Sequence, residues 1–214
     1  MSLVFDYIFS WLMGNVIGSI KVKKVEKFMD GIRDRLNHLT YFKVIPPIGV
    51  FAECNIPLTF FHEAVIAYLL GLPNSSVLMS VKTLELGLKC RLGVKKGKLR
   101  DLIDKVEELE ELKDLAHSLR LLRNMVSHEE KSYDEQDALE ALRHVSLILD
   151  RLYPFNSMVF PKECASCGEI IRFRINKEEF YLGNVIRERC RKCNKINVLI
   201  VGEEWILPKV FLKK

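Results

Sequence analysis

Arg123, Asn124, Ser127 and His128 crowd together in the stretch L-R-L-L-R-N-M-V-S-H-E-E that runs from Leu119 to Glu130. A guanidinium is a permanent cation that forks onto phosphate oxygens. An imidazole both takes and gives a proton near neutral pH. Together they suit the cleavage of a phosphodiester. Leu119, Leu121, Leu122, Met125 and Val126 make the surrounding segment apolar, so the cluster sits at the end of a helix that must pack. A spacing of five residues puts Arg123 and His128 about 140° apart on a helix, whereas Asn124 and His128 share a face. Convergence of Arg and His on one phosphate therefore needs the helix to end or kink near Ser127, and the polar run Ser127 to Asp134 predicts that it does. A second chemical group lies upstream. Glu85 stands on an otherwise apolar helical segment, where a carboxylate needs a partner. Lys82 and Lys89 are the local candidates, and Arg123 is the one that would tie Glu85 to the cluster.

The other residues with chemistry in their spacing are cysteines. Cys164-Ala-Ser-Cys167-Gly and Cys190-Arg-Lys-Cys193-Asn are two CxxC pairs with twenty-two residues between them. Each pair can grip one face of a tetrahedral ion, and four thiolates are the set that Zn²⁺ prefers in structural sites. All four ligands being Cys leaves no open coordination position, so the metal is expected to be structural rather than catalytic. Cys54 and Cys90 stand alone in apolar surroundings. This usage points to reduced thiols in a cytoplasm rather than a secreted disulfide framework.

R-N-x-x-x-H at the end of a helix within a helical domain resembles the signature of the HEPN superfamily. The likeness covers roughly residues 58 to 153. It includes the upstream run S-V-K-T-L-E-L-G-L-K, similar to the helix on which related domains carry a buried acidic residue. The resemblance implies a metal-independent ribonuclease site. Arg123 and His128 would act on the phosphodiester, Asn124 would orient them, and Glu85 would hold Arg123. It also implies a homodimer that pairs two motifs across a two-fold axis. The candidate partners are an RNA, such as a tRNA or mRNA, and an antitoxin or regulatory protein, and the sequence does not choose between toxin, defence and processing roles. Residues 160–202 resemble a zinc ribbon.

The fold class expected is mainly α, a HEPN-like bundle with a small C-terminal β zinc ribbon. At 214 residues the chain holds one ordinary domain and a small module. Its 49% hydrophobic content with only 7 Pro excludes a disordered chain. Three segments follow: an apolar helical start and connector over 1–57, the bundle over 58–153, and the ribbon and tail over 154–214, with Pro154 and Pro161 marking the boundary to the last. The last carries twelve Lys and Arg against seven Asp and Glu, which suits a polyanion. Arg187, Arg189, Arg191 and Lys192 are its candidate RNA contacts. Lys95, Lys96 and Lys98, in a loop of the bundle, are others.

Residues 1–20 hold thirteen apolar residues and a single charge, Asp6, and Lys21, Lys23 and Lys24 follow. The uncharged run from Tyr7 to Ile20 would make a helix of about 21 Å, short of a hydrocarbon core of roughly 30 Å. A helix packed on the domain or on a second subunit is thus expected ahead of membrane contact. With no basic stretch before it and no clear cleavage site, a signal peptide is not expected.

Along the rest, Pro46, Pro47 and Pro57 predict an extended connector. Leu58 to Gly71 reads as a central helix in which His62 is a satisfied core histidine. Asn74 or Ser75 is expected to cap the next helix, and Asp134 to cap a last one over Glu135 to Tyr153. The acidic run Glu107 to Asp114 reads as a solvated face or turn, and Ile170 to Ile175, Glu179 to Arg187 and Ile196 to Val201 as strands. The tail from Trp205 is expected to fold back on a neighbour. No Gly-rich phosphate loop, HExxH helix or carboxylate metal site is present, which sets those enzyme classes aside. Besides the ribonuclease, two functions fit the same residues. One is a non-catalytic nucleic-acid-binding or protein-interaction module; the other, a weaker fit, is a regulator that binds a nucleotide.

Overall fold

The computed structural model describes residues 22–52, 54, 56–128 and 132–202, with the side chains of 22–24, 51, 52, 56 and 125–128 left out. The expectations for residues 1–20 and for the tail from Trp205 fall outside the described residues. The chain divides into two compact units, Val44–Phe155 and Met1–Lys43 with Asn156–Lys214. Among the described residues the secondary structure is mostly helical, with a small antiparallel strand region near the C-terminus.

In the first unit, a 3₁₀ turn over Ile48–Ala52 leads into α2 (Ile56–Leu69), α3 (Pro73–Arg91) and the short α4 (Leu99–Lys105). A 3₁₀ turn over Glu107–Leu112, α5 (Lys113–His128) and α6 (Glu135–Leu152) complete it. α2 and α3 form a hairpin closed at Gly71, whose φ of 73° suits glycine, and the buried Ser76 hydroxyl donates to the Ala64 carbonyl across it. α3 lies at the centre, packed against α2, α5 and α6. Gly87 sets its distance from α6, since a Cβ there would meet Leu149 Cδ2 at 2.4 Å. The Tyr153 hydroxyl, at the end of α6, donates to the Gly87 carbonyl at 2.8 Å. Leu84 and Leu88 of α3, Leu119 of α5, and Leu142 and Ile148 of α6 fill the interior.

Three local expectations are corrected here. Pro47 does not leave an extended connector, because the chain turns into the 3₁₀ segment directly after it, and Pro57 is the second residue of α2, where its missing N–H removes no helical bond. α3 is not capped by Asn74 or Ser75. It starts at Pro73 after Leu72, and the Asn74 Oδ1 instead accepts the Tyr133 N–H at 2.8 Å. The acidic run forms a turn, the 3₁₀ segment over Glu107–Leu112, with Leu109 fully buried in its midst. His62 is not satisfied. Its Nε2 is buried without a hydrogen-bond partner, and burial pushes its pKa from 6.5 to about 4, so the ring is neutral. Asp134 does cap α6, in a full capping box: its carboxylate accepts the Asp137 N–H and Asp137 accepts the Asp134 N–H.

In the other unit, α1 (Val22–Tyr41) buries Met29, Ile32, Leu36 and Leu39, which recur at helical spacing. Two antiparallel hairpins follow, β1 (Ser157–Glu163) with β2 (Ile170–Asn176) and β3 (Val185–Arg189) with β4 (Ile196–Ile200). Ile171, Phe173 and Ile175 alternate inward along β2. Two expectations are corrected. β1 holds Pro161, read from sequence as a boundary; among the described residues β1 pairs with β2 alone, and an edge strand tolerates a missing N–H. Glu179 to Arg187 is not one strand. Asn176 and Glu179 close a capping box around a 3₁₀ turn over Lys177–Glu179, and the chain becomes a strand only at Val185. Between them Gly183, at φ 81°, lies so close to α1 that a Cβ would meet Thr40 Oγ1 at 2.4 Å. Among the described residues no helix is long and apolar enough to cross a membrane.

Candidate metal centre and polar cluster

The two CxxC turns are built alike. The Gly168 N–H donates to the Cys164 carbonyl and the Asn194 N–H to the Cys190 carbonyl, each at 2.9 Å. The Cys164 and Cys190 N–H groups in turn donate to the Glu169 and Lys195 carbonyls. Gly168 and Asn194 follow their cysteines in left-handed backbone, at φ 73° and 58°. The turns bring the thiols of Cys164, Cys167, Cys190 and Cys193 within 4.8 Å of one another. Cys164 lies 3.6 Å from Cys193, and Cys167 lies 3.6 Å from Cys190, sulfur to sulfur. Four sulfurs at about 2.3 Å from one ion would stand roughly 3.8 Å apart, so the residues fit a tetrahedral metal.

The donor set also has the electrostatics of a cation site. The Ser166 N–H does most to bring the Cys164 thiol down to about 6, helped by the Cys167 N–H, Cys193 and Asn197 against the opposing effect of burial. At Cys167 the Glu169 N–H also lowers the pKa. There burial and the neighbouring sulfurs outweigh it and drive the value up to about 12. One thiolate forms readily and a second is resisted by the first, the imbalance that a cation at the centre removes.

Sequence reasoning missed Asn197. It is buried on β4, its Nδ2 points at Cys164 Sγ at 3.5 Å, and its Oδ1 accepts the Ala165 N–H at 3.3 Å. It thus holds both a ligand and the turn that carries it. Its only sequence signal is a polar residue at an inward position of a strand. Arg187 and Arg189 are exposed on β3, and Arg191 and Lys192 are exposed between the second pair of cysteines.

The polar cluster is anchored in the helical unit. Glu85 is buried on α3 and is reached by three cations. Lys89 Nζ lies 2.5 Å from Oε1, Lys82 Nζ lies 3.6 Å from the same oxygen, and an Arg123 guanidinium nitrogen lies 3.7 Å from Oε2. Burial alone would raise the Glu85 pKa. The Lys89 hydrogen bond and the charges of Lys82, Lys89 and Arg123 outweigh it, so the carboxyl is held below its ordinary value. Glu85 and Arg123 therefore meet, from two different helices. Asn124 is exposed on α5.

α5 is described as far as His128, one residue past Ser127, near which an end or kink is expected. The side chains of Ser127 and His128 lie outside the described residues. Further along, Tyr133 has a buried hydroxyl that donates to the Leu122 carbonyl, next to Arg123. Nothing in the sequence marked Tyr133 for this role. Lys95, Lys96 and Lys98 are exposed in the loop between α3 and α4, and they are not among the cations that reach Glu85.

The profile of a domain of unknown function, DUF4145, matches residues 63–179, more than half of the chain. The chain belongs to the DUF4145 family. No curated protein and no solved structure matches it. The DUF4145 match spans Glu85, Arg123, Asn124 and His128 and takes in Cys164 and Cys167, but it ends before Cys190 and Cys193.

Proposed function

We propose that this DUF4145 protein is a metal-independent endoribonuclease of the HEPN type, with a structural Zn²⁺ in a ribbon that helps to hold RNA. The observation that carries the reading is the ion pair between Glu85 and Arg123. A carboxylate buried on the central helix holds the arginine of R-N-x-x-x-H, as the HEPN resemblance implies. Glu85 stands 3.7 Å from the guanidinium near the end of α5, while about half of the arginine side chain stays open to solvent, 48% exposed.

The chemistry needs little else from the protein. RNA carries its own nucleophile, the 2′-OH beside each phosphate. His128 removes its proton or protonates the leaving 5′-oxygen. Arg123 forks onto the non-bridging oxygens as charge builds on the phosphorane, a contribution of roughly 3 kcal/mol or more for such a donor. Asn124 orients the imidazole or the phosphate. One chain offers one cation and one proton-transfer group, so a second copy supplying its own His128 completes the acid–base pair. Cys164, Cys167, Cys190 and Cys193 would hold the zinc, whose role is to fold the ribbon.

The test uses an end-labelled RNA and the same RNA with a 2′-deoxy substitution at the cleaved position. The expected products carry a 2′,3′-cyclic phosphate and a 5′-OH, and the 2′-deoxy position stays intact. Binding of both oligonucleotides with cleavage of neither would favour the nucleic-acid-binding module instead.

A further inference from the structure

We infer that the outward face of the β1–β2 hairpin binds the backbone of a single-stranded RNA, with Arg172 and Arg174 on two consecutive phosphates. This rests on the reading of the ribbon as the part that holds RNA, and it adds a site to the exposed cations of β3 and the second cysteine turn. β2 turns Ile171, Phe173 and Ile175 inward, which leaves Arg172 and Arg174 exposed on its other face. Residues two apart on a strand point the same way and stand about 6.7 Å apart along the backbone, close to the step between phosphates in an extended single strand. The register sets Pro161 opposite Arg172 and Val159 opposite Arg174. Neither arginine has a carboxylate across from it, and among the described residues neither makes an ion pair.

The helical unit handles its surface charge differently. There Arg91 meets Glu108, Arg100 meets Asp104, Lys113 meets Glu110 and Arg151 meets Glu111. In a sheet the equivalent match is an opposite charge across the ladder. Glu163 is present on β1, but the register puts it opposite Ile170. β3 repeats the arrangement, with Arg187 opposite Val198 and Arg189 opposite Ile196. Each strand therefore holds two like charges side by side with apolar residues across from them, a repulsion that a polyanion relieves. All four cations are arginine. Lysine serves a merely solvated face as well, whereas a guanidinium brings a planar fork that matches phosphate oxygens and a flat surface on which a base stacks. Val159 and Ile170 stay exposed beside Arg172 and Arg174, and give the arginine stems and a ribose an apolar surface to lie on. Two cations in line along one strand suit a single strand of RNA, whose phosphates follow one another in a row.

The experiment measures binding of a fluorescein-labelled single-stranded RNA by anisotropy across a salt series, with cleavage scored on the same samples. It compares the full-length wild type with the double variants Arg172→Gln/Arg174→Gln and Arg172→Lys/Arg174→Lys. A third variant, Lys27→Gln/Lys105→Gln, removes the same charge from exposed positions on α1 and α4. The Gln pair is expected to weaken binding about tenfold or more and to reduce the slope of log K against log salt by about 1.4, the loss of two contacts to a single strand. The Lys pair should keep the wild-type slope, and the Lys27/Lys105 variant should keep both slope and affinity. Metal content and thermal unfolding of the Gln pair should match the wild type, because both side chains point outward. Wild-type affinity and slope in the Gln pair would overturn the site. So would equal losses in the Gln and Lys pairs, or the same loss in the Lys27/Lys105 variant, which would reduce the effect to overall charge. Tighter binding of a duplex of the same sequence, with the same dependence on Arg172 and Arg174, would overturn the assignment to a single strand. RNA that is cut by the wild type and bound and cut equally by the Gln pair sinks this site and leaves the nuclease standing. A slope that depends on Arg172 and Arg174 in a wild type that cuts nothing does the reverse. No RNA binding by the wild type at about 50 mM salt would overturn both.

Discussion

Without the Glu85 carboxylate, Lys89 would keep a charge that is largely withdrawn from water and has lost its 2.5 Å partner. Glu85→Ala is therefore expected to lower stability by about 1–3 kcal/mol, read from denaturant unfolding, and to loosen Arg123 as well. The pH dependence follows from the direction of the shift. The folded-state pKa of Glu85 lies below the ordinary 4.5, so its stabilisation is present in full above that value and is lost as pH falls through the folded value. His62 works over a higher window. The unfolded chain takes up its proton near 6.5 and the folded protein only near 4, so stability is full above 6.5 and falls as pH drops toward 4. The difference is worth about 3 kcal/mol. His62→Leu should flatten that part of the curve, and an unchanged slope between pH 6.5 and 4 would refute the assignment. At this scale the sequence was informative where a residue type is chemically costly. A carboxylate on an apolar helix and paired CxxC turns announce their needs. Asn197 and Tyr133 do not, because an Asn in a strand and a Tyr in a loop are ordinary until the fold places them against a thiol and a helical carbonyl.

Among the elements, α3 has the most to position: it carries Glu85 and packs on α2, α5 and α6. Gly87 lets α6 lie close, and in Gly87→Ala the new methyl would press on Leu149. Despite the better helix propensity of alanine, that variant is expected to lose about 1–3 kcal/mol in chemical denaturation. A gain in stability would show that α6 can move away freely. The apolar periodicity of α5 and α6 and the Asp134 cap were legible in the sequence, since these helices are amphipathic and their signals are local. The strand content was legible only in part. β1 hides behind Pro161, and the turn over Lys177–Glu179 interrupts a segment that alternates like a strand, because Gly183 must fit against Thr40, a residue distant in sequence.

For the molecule as a whole, each of the two compact units has its own apolar core. The unit with the cysteines adds four clustered thiols that a metal ion would tie together. Chelation of the metal should unfold the strand region and leave most of the helical circular dichroism intact, and elemental analysis should return one zinc per chain. A protein without metal, or with its four cysteines oxidised in pairs, would contradict this. Asn197→Ala should lower metal affinity about 10-fold or more while the ligands remain. The division into helices and a cysteine-bound strand region was readable in advance because helical periodicity and CxxC spacing are both local patterns. The meeting of Glu85 with Arg123 could only be suggested, since it joins residues far apart in the chain. Whether that meeting serves chemistry is tested most directly by comparing RNA cleavage and RNA binding in wild type, His128→Ala and Arg123→Ala. Each variant is expected to lose about 10² or more in cleavage rate, with His128→Ala still binding RNA as wild type does. Equal cleavage by wild type and His128→Ala, or none by either while both bind RNA alike, would contradict the ribonuclease account.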